Sequence, residues 1–263
     1  MKRRAFLGSG SAAGLTMAAM STSTAQSAES PARSILELRK ISFRNTPDTK
    51  RADYMKFLES AYAPALKRAG VETVGFFNND IGPDKPHVLC LLSYPSAAAM
   101  MDVHVKLAAD KSYNAAMHEV HGKGHVYERI ESSLFRAFAT VPKVELPKDE
   151  GSHLFELRIY ESDDPVSLAK KISMFEDGGE IAIFRKYGLQ PVFFGEALVG
   201  GNLPNLTYMV AFPNITARAE AWKNFATSPE WDKAKKAPGM SDGEIVSNIS
   251  NSTYTALPFS EIK

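Results

Sequence analysis

Several kinds of chemistry are excluded by what this sequence lacks. It has one cysteine, Cys90, so no intramolecular disulfide can form even in an oxidising compartment. Cys90 sits in the apolar run Val88-Leu89-Cys90-Leu91-Leu92, which predicts a small buried thiol rather than a reactive one. There is no cysteine pair with zinc spacing, no His-Glu-x-x-His, no phosphate-binding glycine loop, no dinucleotide glycine pattern and no nucleophile elbow. Charge of one sign is also missing. The formal net charge is +1, which gives no field to draw nucleic acid or acidic lipid. No run of 18 consecutive apolar residues exists to span a bilayer as a helix.

What is present begins with an address. Met1-Lys2-Arg3-Arg4-Ala5-Phe6-Leu7-Gly8 has the form of a twin-arginine n-region. A mildly apolar stretch rich in Gly, Ala and Ser follows from Ser9 to Met20, then small residues before Gln26 and Glu29. The pattern predicts a bacterial export signal over residues 1–28, cut within Ala25 to Ala28, with the twin-arginine (Tat) translocase as a partner during export. The expected location is the periplasm, with no membrane anchor after cleavage. That route carries folded chains, which makes a bound cofactor worth looking for, although no motif identifies one.

The rest of the chain repeats itself at an offset of 118 or 119 residues. Glu37-Leu38-Arg39 sits over Glu156-Leu157-Arg158, Val74 and Phe76 over Val192 and Phe194, and Pro86 over Pro204. Tyr94-Pro95 sits over Phe212-Pro213, and Tyr113 over Trp231. In the second copy, Leu154 to Tyr160 alternates as a strand. Asp163-Asp164-Pro165 opens a helix that Gly178-Gly179 weakens and Gly188 stops. Gln190 to Ala197 and Asn205 to Phe212 read as a hairpin, Thr216 to Ala226 as a second helix, and a last strand falls within Ile245 to Thr255. The first copy follows the same order. This β-α-β-β-α-β unit is ferredoxin-like. Its sheet has helices on one face only, so a second copy is needed to cover the other. The expected fold is α+β: two tandem ferredoxin-like repeats, 34–141 and 153–258, closing an intrachain pseudo-dimeric α/β barrel. Residues 142–152, with two prolines and several charges, read as an exposed linker.

The second copy resembles the NIPSNAP family. The residues that carry the resemblance are Phe155-Glu156-Leu157-Arg158-Ile159-Tyr160, Phe184-Arg185-Lys186-Tyr187-Gly188, Asn205-Leu206-Thr207-Tyr208-Met209, Trp222, and Phe225-Ala226-Thr227-Ser228-Pro229-Glu230-Trp231. The first copy is a degenerate version, with His104 for Trp222 and Tyr113 for Trp231. The resemblance implies a dimeric α/β barrel fold, and it implies little about chemistry.

Two constellations could carry chemistry. Strand alternation puts Phe155, Leu157 and Ile159 on one face and Glu156, Arg158 and Tyr160 on the other. If the apolar set meets the helices, the polar set faces the barrel interior, and pseudo-symmetry adds Glu37 and Arg39. Those five residues would form either a ligand-orienting pocket with arginines for a carboxylate or phosphate, or a buried Glu–Arg network. The second constellation is His118, His121 and His125, whose spacing would put three rings on one helical face for a divalent metal or haem iron. Gly122 and Gly124 argue against that helix. Trp222, Trp231, Phe225 and Tyr208 read as core aromatics. The functions that fit are a small-molecule binding protein, a haem- or metal-dependent oxygenase of the barrel type, or a protein-interaction scaffold.

Overall fold

A computed structural model describes residues 32–45, 50–84, 86–148, 151 and 153–263. The expected export segment, residues 1–28, lies outside the described residues. Each repeat supplies four strands. In the first they are β1 (Ile35–Ser42), β2 (Thr73–Ile81), β3 (His87–Tyr94) and β4 (Arg129–Ala137); in the second, β5 (Leu154–Glu161), β6 (Gln190–Val199), β7 (Asn205–Phe212) and β8 (Asn248–Ala256). Every pairing is antiparallel, and the strands close into one barrel in the order β1-β3-β2-β8-β5-β7-β6-β4. The repeats join edge to edge through β2 with β8 and β4 with β6. Closure leaves no exposed sheet edge.

Helices pack outside. The first repeat carries α1 (Arg51–Phe57), a π-helical turn (Leu58–Tyr62) that runs into α2 (Ala63–Ala69), α3 (Ala97–Ala109) and α4 (Lys111–Gly122). The π turn sits just before Pro64, which has no N–H to continue the ladder. The second repeat carries α5 (Pro165–Glu176), α6 (Glu180–Lys186), α7 (Ile215–Ala226), α8 (Pro229–Ala234) and α9 (Asp242–Ile245). Local chemistry sets these ends. The Asp164 carboxylate accepts from the backbone N–H groups of Val166 and Ser167 at the start of α5. Gly179 takes φ +76, a conformation other residues adopt at a cost, and so divides α5 from α6.

The core has three parts. Leu36, Leu38, Leu89, Leu91, Phe135, Phe155, Leu157, Phe193 and Met209 fill the barrel itself. A first outer cluster lies between the sheet and the helices of the first repeat, and a second, rich in aromatics, lies likewise in the second. Residues 142–148 are less free than a linker. Glu145 donates its N–H to the Val192 carbonyl at 2.8 Å and its carboxylate holds Arg185 at 2.7 Å, while Val144 packs on the barrel core. The chain also continues past residue 258 as an ordered tail. Leu257 and Glu261 donate N–H groups to Phe76 and Val74, and the fully buried Ile262 side chain enters the barrel at the end where β1 begins. Gly75 permits this, because a Cβ there would lie 2.8 Å from Ile262.

Candidate functional site

The polar strand residues face the opposite way from the sequence expectation. Glu156, Arg158 and Tyr160 point outward to the helices, and Phe155 and Leu157 point inward. Glu37 and Arg39 likewise point outward, in their own repeat. The five residues therefore do not share an interior; they form two separate clusters, both outside the sheet, one on β1 and one on β5 across the barrel. The reason is satisfaction. The fully buried Glu156 carboxylate accepts from Arg158, Arg218, Trp222 and Asn251, three of which are on α7 or β8. Inside the barrel, Glu156 would instead meet the apolar side chains of Leu157, Phe155 and Met209 and their neighbours, which donate nothing. Arg158 stacks on Trp222 at 4.6 Å and on Tyr160 at 5.5 Å. Glu37 accepts from Arg39 at 2.8 Å, Ser132 at 2.7 Å and Tyr94 at 2.9 Å. Burial alone would raise the Glu37 carboxyl, but Arg39 and these hydroxyls outweigh it and hold it low. Arg39 also donates to Tyr62. This is the buried Glu–Arg network, built twice.

The histidine trio is not assembled either. His118 and His121 lie on α4, the helix ends at Gly122, and Gly124 turns the chain at φ +112 before His125. All three rings are exposed, and His121 packs edge-on to Tyr127. Among the described residues, no group of three His, Cys, Asp or Glu side chains is placed to hold a metal ion. Cys90 is buried, as expected, and burial pushes its thiol up to about 12.

The second repeat holds a cluster that the sequence reading missed. Lys171 is fully buried on α5, bonded to Glu180 at 3.2 Å and to Asp242 at 2.9 Å, with the Phe175 ring 4.8 Å away. Burial pushes the Glu180 carboxyl up to about 7, against the pull of Lys171. Burial alone would lower Lys171, but the two carboxylates outweigh it and raise it.

The barrel lumen is shaped to take a ligand. A cavity of 670 Å³ opens at the end bearing the β2–β3 and β6–β7 hairpins, opposite Ile262. Its deeper wall is apolar: Leu38, Leu89, Phe135 and Leu157, with Ile159 nearer the mouth. Its mouth is polar. Lys40 reaches Asp84 and Glu131, each at 2.9 Å, so the lysine charge is already met. Asn202, Asn205 and Thr207 line the facing side. Between wall and mouth, the buried His87 ring joins the two repeats. Its Nδ1 lies 3.0 Å from the Asp84 carbonyl, which assigns the proton to Nδ1, and its Nε2 then accepts from Tyr254 at 3.1 Å. Burial lowers the His87 imidazole below its ordinary value, so the neutral ring is favoured. Burial pushes the Tyr254 phenol up to about 12. None of these lumen residues stands out in sequence, because they come from separate strands and two hairpins.

The NIPSNAP family model matches residues 41–142 and 155–261, one segment in each repeat. The chain belongs to the NIPSNAP family. It carries two NIPSNAP repeats, which close one barrel between them. Among solved structures, the NIPSNAP barrel is similar to a candidate monooxygenase from Lactobacillus acidophilus NCFM, with 11% identity over 85% of this chain and 94% of that one and a TM-score of 0.55. It is similar to an anthrone oxidase-like protein, with 11% identity over 87% and 93% and a TM-score of 0.50. A NIPSNAP family protein of unknown function from Agrobacterium tumefaciens str. C58 is 18% identical over 42% of this chain and 94% of that one, with a TM-score of 0.38. At such identities the first two likenesses show the fold alone. No protein of curated function matches this NIPSNAP sequence.

Proposed function

We infer that this NIPSNAP protein binds a small molecule in the lumen of its barrel. The observation that carries the reading is the 670 Å³ cavity, apolar within and polar at the mouth. Cavities of roughly 300–1,000 Å³ with few polar groups are the usual form of small-molecule sites. The lumen suits a largely apolar body with an uncharged polar end. Among the described residues that line the lumen, Lys40 is the one cation, and two carboxylates already meet it. Tyr254, His87 and Thr207 are placed to fix the polar end by hydrogen bonds.

The test is titration with the neutral fluorophore N-phenyl-1-naphthylamine. Saturable, one-to-one binding is expected in the wild type. Leu157→Trp, which fills the lumen, is expected to abolish it while the circular dichroism spectrum stays unchanged. Binding that is absent in the wild type, or equal in both, overturns the reading.

The Arg3-Arg4 n-region and the small residues before Gln26 support export by the twin-arginine route to the periplasm. Cell fractionation with Arg3→Lys/Arg4→Lys tests it, because the double variant should stay in the cytoplasm.

A further inference from the structure

Large apolar side chains left exposed are not scattered evenly over this molecule. Six of them ring the open end of the barrel: Ile81, Ile130, Leu198, Val199, Leu203 and Ile249. Each stands at the rim for a topological reason. Ile81 ends β2, Val199 ends β6 with Leu198 beside it, Ile130 and Ile249 are second in β4 and β8, and Leu203 is in the β6–β7 hairpin. They therefore come from both repeats. Most are chain neighbours of residues that line the mouth: Gly82 apart, Ile81 precedes Pro83, Leu198 follows Ala197, Ile130 precedes Glu131 and Leu203 follows Asn202. Ile81 is 69% exposed and Val199 57%. The other exposed apolar side chains, such as Met101 and Val166, lie on the helices or between the repeats.

We propose that this rim docks the barrel mouth onto the surface of a neutral lipid bilayer, from which the lumen takes its apolar ligand. The proposal rests on the reading of the lumen as an apolar binding site. Three observations favour a bilayer over a protein partner or a second copy. The apolar ring surrounds an opening into an apolar cavity, so a bilayer face would be continuous with the lumen. The ring exposes an apolar area on the order of a few hundred Å², short of the roughly 800 Å² per partner of a standard protein interface. Among the described residues the mouth has no basic excess: Lys40 and Arg129 face Asp84 and Glu131, and Glu161 adds a carboxylate beside Asn202. That pattern suits zwitterionic headgroups and lacks the basic excess that selects anionic lipid.

The experiment is co-sedimentation of the full chain with phosphatidylcholine vesicles, comparing the wild type with Ile81→Ser/Leu203→Ser, which changes one rim position in each repeat. The wild type should sediment with the vesicles, about equally across 0.1 to 0.5 M salt, because charge contributes little. The double variant should lose about tenfold in partition, since apolar burial drives interfacial binding, and should still bind the fluorophore. A wild type that stays in the supernatant, or a double variant that sediments equally, overturns the proposal. A dimer in sedimentation velocity that the double substitution abolishes also overturns it, because the rim is then covered by a second copy. The fluorophore reports on the lumen and the vesicles on the rim, so each reading can fail separately.

Discussion

At the scale of single residues, the buried charges decide most. Lys171, fully buried, is tolerated only because Glu180 and Asp242 meet it. Lys171→Met should cost about 3 kcal/mol in urea unfolding, since a buried carboxylate is left alone. Glu180 adds a pH signature. Its carboxyl, pushed up by burial to about 7, binds its proton more tightly in the fold than in the unfolded chain. Its contribution is full below the ordinary carboxylate value and is lost as pH rises through about 7. Glu180→Gln should flatten that fall, measured as unfolding free energy from about pH 5 to 8. His87 has the opposite sign. Its imidazole is lowered by burial, so its contribution is present above the ordinary histidine value and is lost as pH falls through the lowered one. His87→Gln should remove that acid-side loss in the same measurement. The sequence showed that Glu156 shares a face with Arg158, and Glu37 with Arg39. It could not show which face, because alternation assigns in and out only when one side is wet. In this barrel both sides are buried, and the helices of the second repeat hold Arg218 and Trp222, the donors that decide it. Lys171 was missed because a lysine in Ala169-Lys170-Lys171 reads as one more solvated charge.

At the scale of elements, turn and cap chemistry made most of the fold legible. The helix after Asp164 and the hairpin from Gln190 to Phe212 follow from residues a few positions apart. The split at Gly178-Gly179 is visible for the same reason. Asp164→Ala should cost about 1 kcal/mol, read as a fall of a few degrees in Tm. The glycines that argued against the histidine trio act at this scale: α4 ends at Gly122, one turn too early to bring His125 round. The segment 142–148 was legible in part: Lys143, Leu146 and Lys148 are exposed as its prolines and charges suggest, whereas Glu145 is held to Val192 and Arg185.

At the scale of the whole molecule, the repeat offset was enough to foresee a barrel, since each half has a sheet face it cannot cover alone. The lumen could not be foreseen. Its wall joins Leu38 to Ile159 and His87 to Tyr254, positions that only closure of the barrel brings together. The tail was equally hidden, as Glu261 and Ile262 carry no pattern of their own. Ile262→Ala should cost about 3 kcal/mol in urea unfolding.

Two repeats in one chain also free the lumen from having to match itself. A pair of identical chains would offer every wall residue twice, related by a two-fold axis, and a guest could enter in two equivalent orientations. Here the offset that aligns the repeats sets Lys40 against Ile159, Asp84 against Asn202, His87 against Asn205 and Glu131 against Ser250. One half of the mouth holds a lysine between two carboxylates, where the other holds Ile159, Asn202 and Ser250. A guest with unlike sides therefore meets two different walls, and the degeneracy of a symmetric vestibule is replaced by a single preferred heading.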